Sequence, residues 1–466
     1  MRPEPLGGRL SPHATRTSET AGVPPKNRPF AGASTASGLL TRRAFLGTGA
    51  ALASPLSACH REEAHLRGRQ RATLWFSYGG RNREVLEALV RRFNDRQSDV
   101  FVKAVYQGDY YEGLAKLRTA IAAGVPPSLS HVVGEVVPYL AEAGVLQALD
   151  DYPGARELDV ISVLGQDGTW ERGGERPLVC LPFNRSTPIA YLNAEVFDAA
   201  GLSAPRTWDA LVEVATRLTV RSAGRTARFG FGCPISWWFW VALVGQAGGR
   251  VVEPDGAPSL GGAAGVRALE LWQRLVGAGV MKPPLGRDYN AWEQTNQDFL
   301  AGRTAMIWTS TAFLRYLEDT APFPVRAAPL PKDVTRAVPT GGTHWVVPRA
   351  ASTEEKRAAW AFLRFMHEPA QVVEWATRTG YLPTTQSAIA ALQREGYYQK
   401  HPNDRVAVEQ LTVATPWPWS PDLFRLEREI VQPELESAVL GGKNAEAVLG
   451  RARARARAEL FAPEVR

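Results

Sequence analysis

Short apolar strands alternate with amphipathic helices from about residue 72 onward. TLWFSY and DVFVKAVYQ have the composition of strands, and the residues between them, 82–96, repeat apolar positions at a helical period. The apolar stripe of this helix is Val85, Leu86, Leu89, Val90 and Phe93. A further helix is predicted at 110–123, followed by the strand SLSHVV and a helix that ends at Gly144. This alternation is typical of parallel sheets built from βαβ units.

A second series of strands and helices begins near residue 178. LVCLPFN and STPIAYLN are predicted strands, and TWDALVEVATRLT predicts a helix with Thr207 as its N-cap. Helices are also predicted at 264–278 and 291–301, TAMIWT is a predicted strand, and residues 346–466 have mostly helical patterning. We therefore predict two α/β lobes, with a ligand site in the cleft outside the carboxyl ends of the strands.

The length and charge of the chain indicate a large globular protein and argue against a nucleic-acid binder. A chain of 466 residues with 45% hydrophobic and 22% charged residues is too long for one core of usual size. The formal net charge is +7, but residues 1–58 carry seven basic and two acidic side chains, so the remainder carries only +2. This near-neutral remainder excludes a generally cationic nucleic-acid binder, and the composition excludes disorder and a disulfide-dense miniprotein.

The N-terminal segment has the organisation of a bacterial export signal. Residues 41–59 read TRRAFLGTGAALASPLSAC, with a twin arginine, a short apolar stretch and Cys59 directly after Leu-Ser-Ala. This order resembles a twin-arginine signal followed by a lipoprotein cleavage box. The apolar stretch 44–58 is shorter than the roughly 20 residues of a membrane-spanning helix and contains Pro55, so no permanent transmembrane helix is predicted. The alternative is a chance Arg-Arg pair before a buried helix.

The export signal sets an expected location and maturation for the protein. We expect residues 1–58 to be a removed leader, Cys59 to be lipidated and residues 59–71 to form a tether. The mature protein is then exported to the periplasm or cell surface and held on the cytoplasmic membrane only by its lipid. Cys180 and Cys233 remain in the mature chain, where they either form a disulfide or are separately buried thiols.

Motifs that carry catalysis or metal binding are missing from the sequence. It contains no GxSxG elbow, no phosphate-binding loop of the G-x-x-x-x-G-K-S/T type and no GxGxxG after a strand. It also contains no CxxC or HExxH spacing, and its seven histidines are scattered. We therefore predict a binding protein with no catalytic residues, no metal and no cofactor, and the alternative is an exported hydrolase.

A block of aromatic residues stands out from the rest of the sequence. It consists of Trp237, Trp238, Phe239 and Trp240. Indole rings provide flat apolar faces that stack on the C–H faces of a polyol or on a cation. Because Trp237 and Trp240 are three residues apart, they lie on the same side of a helical turn, and we predict that they stack on a ligand. Core packing is the alternative for each tryptophan.

Several segments of the chain resemble one known family. They are LWFS (74–77), YQGDY (106–110), LPFNRSTPIAYLN (181–193), GGTHWVV (341–347), TGYLPTT (379–385) and ELESAV (434–439). Together they resemble the carbohydrate-type extracellular solute-binding proteins of ABC importers, and most of all the members that bind glycerol 3-phosphate. The resemblance runs from about residue 72 to about residue 450. It implies an α/β fold of the periplasmic-binding-protein type II, with two discontinuous lobes, a hinge and an interlobe ligand cleft.

The resemblance also implies which residues bind the ligand. In that family, a glutamate at the place of Glu135 contacts glycerol hydroxyls, and an arginine at the place of Arg428 pairs with the phosphate. The complete implied set is Tyr110, Glu135, Ser186, Trp237, Trp240, Ser310, Gly342, Tyr381 and Arg428. An arginine with hydroxyl and backbone N–H donors is suited to bind a phosphate without a metal.

The family fold crosses between its lobes more than once, and this implies discontinuous boundaries. We expect residues 72–182 and 304–341 in the first lobe, residues 183–303 and 342–455 in the second, and a C-terminal tail at 456–466. The implied partners are the permease and ATPase subunits of an importer, without nucleic acid, and we expect a monomer. The favoured ligand is glycerol 3-phosphate, followed by a glycerophosphodiester such as glycerophosphocholine and then a neutral di- or oligosaccharide. A partner-binding lipoprotein is a further alternative.

Overall fold

The computed structural model describes four stretches of the chain, 68–165, 168–253, 256–284 and 288–460. The predicted leader, Cys59 and most of the predicted tether lie outside these residues. The first strand begins at Gln70, so the end of the predicted tether, 59–71, is part of this strand. The last helix extends to Glu459, so the start of the predicted tail, 456–466, is part of this helix. Within the described residues, no helix is both long and apolar enough to cross a membrane.

The first of two five-stranded sheets contains the N-terminal strands. Its members are β1 (Gln70–Phe76), β2 (Val100–Tyr106), β3 (Leu129–Val133), β4 (Leu181–Ser186) and β13 (Gly341–Val346). They are arranged in the order β2-β1-β3-β13-β4. β1 is parallel to both β2 and β3, whereas β13 is antiparallel to both β3 and β4. The late strand β13 therefore returns to the sheet formed by the start of the chain.

The second sheet is built from the middle of the chain. Its members are β5 (Pro188–Asn193), β8 (Phe231–Gly232), β9 (Met281–Lys282), β10 (Met306–Ser310) and β11 (Val325–Ala328). They are arranged in the order β11-β5-β10-β8-β9. Four shorter strands form two further pairs, β6 (Val220–Ser222) with β7 (Arg225–Arg228) and β12 (Val338–Pro339) with β14 (Ala414–Thr415).

Eighteen described helices surround the two sheets. They are α1 (Gly80–Arg96), α2 (Tyr110–Ala122), α3 (Val137–Glu142), α4 (Ser162–Gly165), α5 (Ala194–Ala199), α6 (Trp208–Leu218), α7 (Trp237–Gln246), α8 (Gly262–Gly277), α9 (Asp288–Leu300), α10 (Leu314–Thr320), α11 (Thr353–Met366), α12 (Pro369–Thr379), α13 (Gln386–Arg394), α14 (Tyr397–Lys400), α15 (Pro402–Glu409), α16 (Leu423–Arg425), α17 (Gln432–Val439) and α18 (Ala445–Glu459). A π-helical segment, Leu426–Val431, joins α16 to α17, and one turn of 3-10 helix, Gly134–Val136, precedes α3.

Local sequence signals account for where several helices begin and end. The buried residues of α1 are the five of its predicted apolar stripe, so this prediction is confirmed. Thr207 caps α6, with its side chain accepting from the Ala210 N–H at 3.2 Å, as predicted. Asp109 and Glu112 form a capping box at the start of α2, an arrangement that contributes about 1 kcal/mol. α12 ends at Gly380, whose φ of +98° is the left-handed conformation that favours glycine.

We call the first sheet with the helices packed on it the first lobe, and the second sheet with its helices the second lobe. β10 and β11, which lie within 304–341, pair with β5 in the second lobe. Most of β13 lies within 342–455 but pairs in the first lobe, and α11 packs on β1 of that lobe. The allocation of 304–341 to the first lobe and of all of 342–455 to the second is therefore wrong. Segments this far apart in the chain pair because their strands bury a shared apolar face. In this sheet, Ile189 of β5 and Ile307 of β10 are buried in the same core.

The two cysteines of the described chain are buried and do not form a disulfide with each other. Cys180 lies in a first-lobe core with Val132 and Val346, whereas Cys233 lies in the second-lobe core with Trp308. Of the two arrangements open from the sequence, the structure shows separately buried thiols.

Candidate ligand-binding site

A cavity of about 650 Å³ lies where strand ends of the two lobes face each other. Segments that follow β1, β2 and β3 line it from the first lobe, and the segment after β8 and the end of β10 line it from the second. The cavity therefore lies at the carboxyl ends of strands, where the sequence predicts the ligand site, and binding there stays a prediction.

Most of the predicted ligand-binding residues line this one cavity. Seven of the nine do so, and they are Tyr110, Glu135, Ser186, Ser310, Gly342, Tyr381 and Arg428. They come from seven separate elements or turns spread over more than 300 positions of the sequence. The tertiary structure thus brings them together, while their contact with a ligand stays a prediction.

Trp237 and Trp240 do not line the cavity. Both are fully buried, their ring centroids are 5.7 Å apart, and the Trp240 indole N–H donates to the Gly265 carbonyl at 3.3 Å. The prediction that they stack on a ligand is therefore wrong. The two tryptophans do share one face of α7, as their spacing requires. This face packs into the second-lobe core and not against the cavity.

Two other tryptophans take the place predicted for that pair. Trp238 lines the cavity and its indole N–H donates to the Thr340 carbonyl at 3.1 Å. Its ring lies 5.4 Å from the ring of Trp292, which comes from α9 and also lines the cavity. A sequence signal was present for Trp238, which belongs to the aromatic block. No such signal was present for Trp292, which has the pattern of a packing residue in its helix.

A network of tyrosines forms the wall on the first-lobe side. The hydroxyls of Tyr110 and Tyr381 are 3.2 Å apart, and the Asn184 side-chain amide donates to the Tyr110 hydroxyl at 3.2 Å. Tyr381 stacks on Trp375 with ring centroids 5.7 Å apart. Tyr78 is also buried at this wall, and burial raises the pKa of its hydroxyl well above the usual value, so it presents an O–H donor.

Arg428 reaches the cavity from the π-helical segment. Its guanidinium carbon lies 4.1 Å from the centroid of the Tyr111 ring, the distance of a cation–π contact. The ring of Tyr111 is therefore the surface on which this arginine rests. π-helical turns inside helices are frequent at functional sites because they re-aim side chains.

A second arginine, Arg185, lines the same cavity and was missed from the sequence. It precedes Ser186 in β4 and is only 1% exposed. Its Nη2 donates to the Thr340 hydroxyl at 2.9 Å, and its Nη1 lies 3.4 Å from the His344 Nδ1. The only available signal was its position directly before a predicted ligand-binding serine.

Glu135 lies close to both arginines. Burial raises the pKa of its carboxyl group to about 7, against the opposing effect of the Arg185 and Arg428 charges. Its neighbour Gly134 packs closely, since a Cβ there would fall 3.4 Å from the Arg185 Nη1 and 3.3 Å from the His344 ring. The carboxyl is therefore partly protonated near neutral pH and presents both a donor and an acceptor to the cavity.

Two buried histidines support this wall without carrying charge. Burial lowers the pKa of His131 to about 3, and burial together with the Arg185 charge holds the pKa of His344 well below its usual range. His131 Nε2 accepts from the Ser77 N–H at 3.1 Å, which the neutral ring allows. Among the described residues, no cluster of three or more histidine, cysteine, aspartate or glutamate side chains has the arrangement of a metal site.

An ion pair joins the lobes at one end of the cavity. Arg81, from the first turn of α1, pairs with Asp319 of α10, and Arg81 also lines the cavity. α1 packs on the first sheet, and α10 packs with the second through Leu314 and Leu317. Both charged side chains are about half exposed, so the pair contributes little energy by itself but marks where the lobes meet.

Comparison with known proteins identifies the class to which this fold and cavity belong. A family model described as bacterial extracellular solute-binding protein matches residues 88–403. The chain belongs to this family.

Relatives and solved structures show the same architecture. The sn-glycerol-3-phosphate-binding periplasmic protein UgpB of Pectobacterium atrosepticum is 27% identical over 413 residues, which are 82% of this chain and 90% of the relative. The crystal structure of UgpB from Mycobacterium tuberculosis in complex with glycerophosphocholine has a TM-score of 0.72 and 25% identity, over 83% of this chain and 98% of that one. The cyclic alpha-maltosyl-1,6-maltose binding protein of Arthrobacter globiformis has a TM-score of 0.70 and 24% identity, over 84% and 99% of the two chains.

These findings establish the fold and the general role of the protein. It has the two-lobed α/β fold of type II periplasmic solute-binding proteins. It is an extracellular or periplasmic solute-binding protein that takes a small-molecule ligand and works with an ABC importer.

Proposed function

We propose that this protein captures sn-glycerol 3-phosphate or a glycerophosphodiester such as glycerophosphocholine and delivers it to the permease of its importer. The observation that carries the proposal is the presence of Arg428 beside hydroxyl donors in one cavity. Those donors are the side chains of Ser186, Ser310, Tyr110 and Tyr381. A phosphate that leaves water needs charge-assisted donors, and an arginine with surrounding hydroxyls supplies them. The relatives named for glycerol 3-phosphate and glycerophosphocholine support this assignment.

The remaining part of the cavity fits the rest of such a ligand. Trp238 and Trp292 present aromatic surface for the C–H faces of glycerol, and the same surface attracts a quaternary ammonium group through its π electrons. Glu135 supplies a group that bonds to hydroxyls. A glycerophosphodiester with a cationic head group is therefore accommodated as well as the monoester.

Binding is proposed to work by closure of two lobes without covalent chemistry. The ligand contacts groups of both lobes, so it binds the closed state more tightly and shifts the population toward it. The closed form is then the form that docks on the permease. The protein is accordingly inferred to be a binder and not an enzyme.

A neutral di- or oligosaccharide is the second candidate ligand. The observation that favours it is the pair of tryptophans, since such surfaces stack on sugar rings and a structure named for a maltose-type sugar shares this fold. A neutral sugar offers Arg428 no charged acceptor, which is why the phosphate ligand is preferred.

A ligand panel tests the proposal. We expect glycerol 3-phosphate or glycerophosphocholine to raise the thermal unfolding temperature of the full chain in a saturable way, because a ligand that binds only the folded state stabilises it by about 2.7 kcal/mol at 100 times its Kd. Maltose and trehalose are expected to give no shift. A shift with the sugars alone would discard the phosphate assignment and keep the family. Recovery of the phosphate ligand unchanged after incubation separates a binder from a hydrolase.

The cellular location is proposed from the sequence signal. The protein is inferred to be exported by the twin-arginine route and anchored by a lipid on Cys59, as a monomer. Replacing Cys59 by alanine is expected to move the protein from the membrane fraction to the soluble fraction, because the lipid is its only anchor. Fractionation and immunoblotting of cells with either form measure this. Retention of the C59A variant on the membrane would contradict the lipid anchor.

A further inference from the structure

We propose that Arg185 is a second anion-binding residue, and that the phosphate of the ligand is held between Arg185 of the first lobe and Arg428 of the second. This inference deepens the proposed function and rests on it. Arg185 is 1% exposed and yet lines the cavity, and its guanidinium contacts Thr340, which lines the cavity as well. A buried arginine is costly unless charged or polar groups compensate it, and it is therefore a specific feature of this wall.

The guanidinium of Arg185 is held in place from behind. Nη2 donates to the Thr340 hydroxyl at 2.9 Å, and Nη1 lies 3.4 Å from His344 Nδ1. Thr340 and His344 are both fully buried, and the ring of His344 stays neutral, so its Nδ1 is able to accept. A guanidinium that is already oriented loses little conformational entropy when it binds an oxyanion.

Arg185 and Arg428 both act on the same acidic group of the cavity. Each of the two charges lowers the pKa of Glu135, and the effect of Arg185 is the larger. The Nη1 atom of Arg185 also lies close to Gly134, where a Cβ would come within 3.4 Å of it. Arg185, Arg428, Gly134 and Glu135 all line the one cavity.

The two guanidinium groups determine which chemical class of ligand this wall favours. Arg185 and Arg428 line the cavity together with Arg81 and with four acidic residues, Asp109, Glu135, Glu293 and Glu427. A phosphoryl group offers both guanidinium groups charged acceptors, whereas a neutral sugar offers only dipoles. The inferred ligand class is a small organic phosphate and not a neutral oligosaccharide.

The two arginines also belong to different lobes. Arg185 lies on β4 in the first sheet, and Arg428 lies on a helical segment whose Leu426 and Ile430 are buried in the second-lobe core. One anion that contacts both arginines joins the lobes. Loss of either arginine is therefore expected to weaken closure as well as affinity for the phosphate.

Calorimetric titration of the full chain with glycerol 3-phosphate, glycerophosphocholine and maltose tests the inference. Arg185→Met, which keeps most of the side-chain volume, is expected to lose roughly 10- to 100-fold in affinity for the phosphate ligands, the range of a hydrogen bond to a charged group. Arg185→Lys keeps the charge but not the two-pronged geometry, and its expected loss is smaller. The control is Arg326→Met, which removes an exposed arginine of β11 that pairs with Asp198 outside the cavity, and its expected affinity is unchanged.

The outcomes separate this inference from the proposed function. If the unmodified chain binds neither phosphate ligand, the proposed function fails and the inference fails with it. If the unmodified chain binds phosphate and folded Arg185→Met binds it equally well, only the role of Arg185 is overturned. Circular dichroism shows whether each variant is folded. If Arg185→Met does not fold, the test uses Arg185→Lys instead. An unchanged affinity of Arg185→Lys for the phosphate ligands overturns the two-arginine site. Arg185→Met with stronger maltose binding and weaker phosphate binding supports it.

Discussion

Replacing Arg428 by alanine is expected to lower the affinity for glycerol 3-phosphate by about 30- to 1,000-fold, which corresponds to about 2–4 kcal/mol. The reason is that the variant removes one of the two arginines proposed to donate charge-assisted hydrogen bonds to the phosphate. The Tyr111 ring, which lies 4.1 Å from the guanidinium carbon, is also left without its cation. Calorimetric titration measures the effect directly.

The matched control for this prediction lies one turn away on the same helix. Arg425 is exposed, does not line the cavity, and forms ion pairs with Asp422 and Glu429. Its replacement by alanine is expected to change the affinity by less than about twofold, since exposed ion pairs contribute about 0–1 kcal/mol and this one does not face the ligand. If Arg428→Ala leaves the affinity for a phosphate ligand unaltered, the phosphate assignment is wrong even though the fold and family stand.

Replacing Gly342 by alanine is expected to destabilise the protein by about 3–5 kcal/mol. Gly342 has a φ of +96°, which a residue with a side chain adopts only under strain. A Cβ at this position would fall 1.8 Å from the Asn184 carbonyl oxygen and 3.3 Å from the Arg185 Cα. Because β13 pairs with β4 here, the clash separates the strands that hold Ser186 and Arg185, and ligand affinity is expected to fall with stability.

Denaturant unfolding of the variants measures this cost, and Gly302→Ala is its control. Gly302 also has a positive φ, of +67°, but a Cβ there meets no atom within 4 Å. Its substitution is expected to cost about 1 kcal/mol, the contribution of the backbone conformation alone. The difference between the two variants is then the cost of the close approach of β13 to β4. Equal destabilisation of both variants would contradict the close-packing explanation.

The sequence predicted the elements well because their signals are local. The apolar stripe of α1 is a matter of spacing within one helix, and the same five residues are buried in the structure. The cap at Thr207 depends on a side chain and a backbone N–H three residues away. Such signals need no knowledge of the rest of the fold.

The site was predicted in part, through the resemblance of short motifs to a family. That resemblance led to seven residues that the structure places around one cavity. The prediction was wrong for Trp237 and Trp240. Helical spacing shows which residues share a face, but it does not show whether that face meets a cavity or a core. The neighbouring Trp238 faces the cavity, and the ring of Trp292 joins it from another helix.

Arg185 shows the same limit for charged residues. In the sequence it is one arginine within an apolar strand, next to a serine. Its side chain is oriented by Thr340 and His344, which lie more than 150 positions away and reach it only because β13 pairs with β4. No local pattern contains this contact.

The sequence by itself determined the strand and helix alternation, the near-neutral charge of the chain after its first 58 residues and most of the candidate ligand set. Only the tertiary structure decided which sheet receives β10, β11 and β13, which tryptophans face the cavity and where Arg185 lies. The physical reason is the range of the interactions. Periodicity and capping act between residues a few positions apart, whereas strand partners and buried polar contacts are set by burial of surfaces from distant parts of the chain.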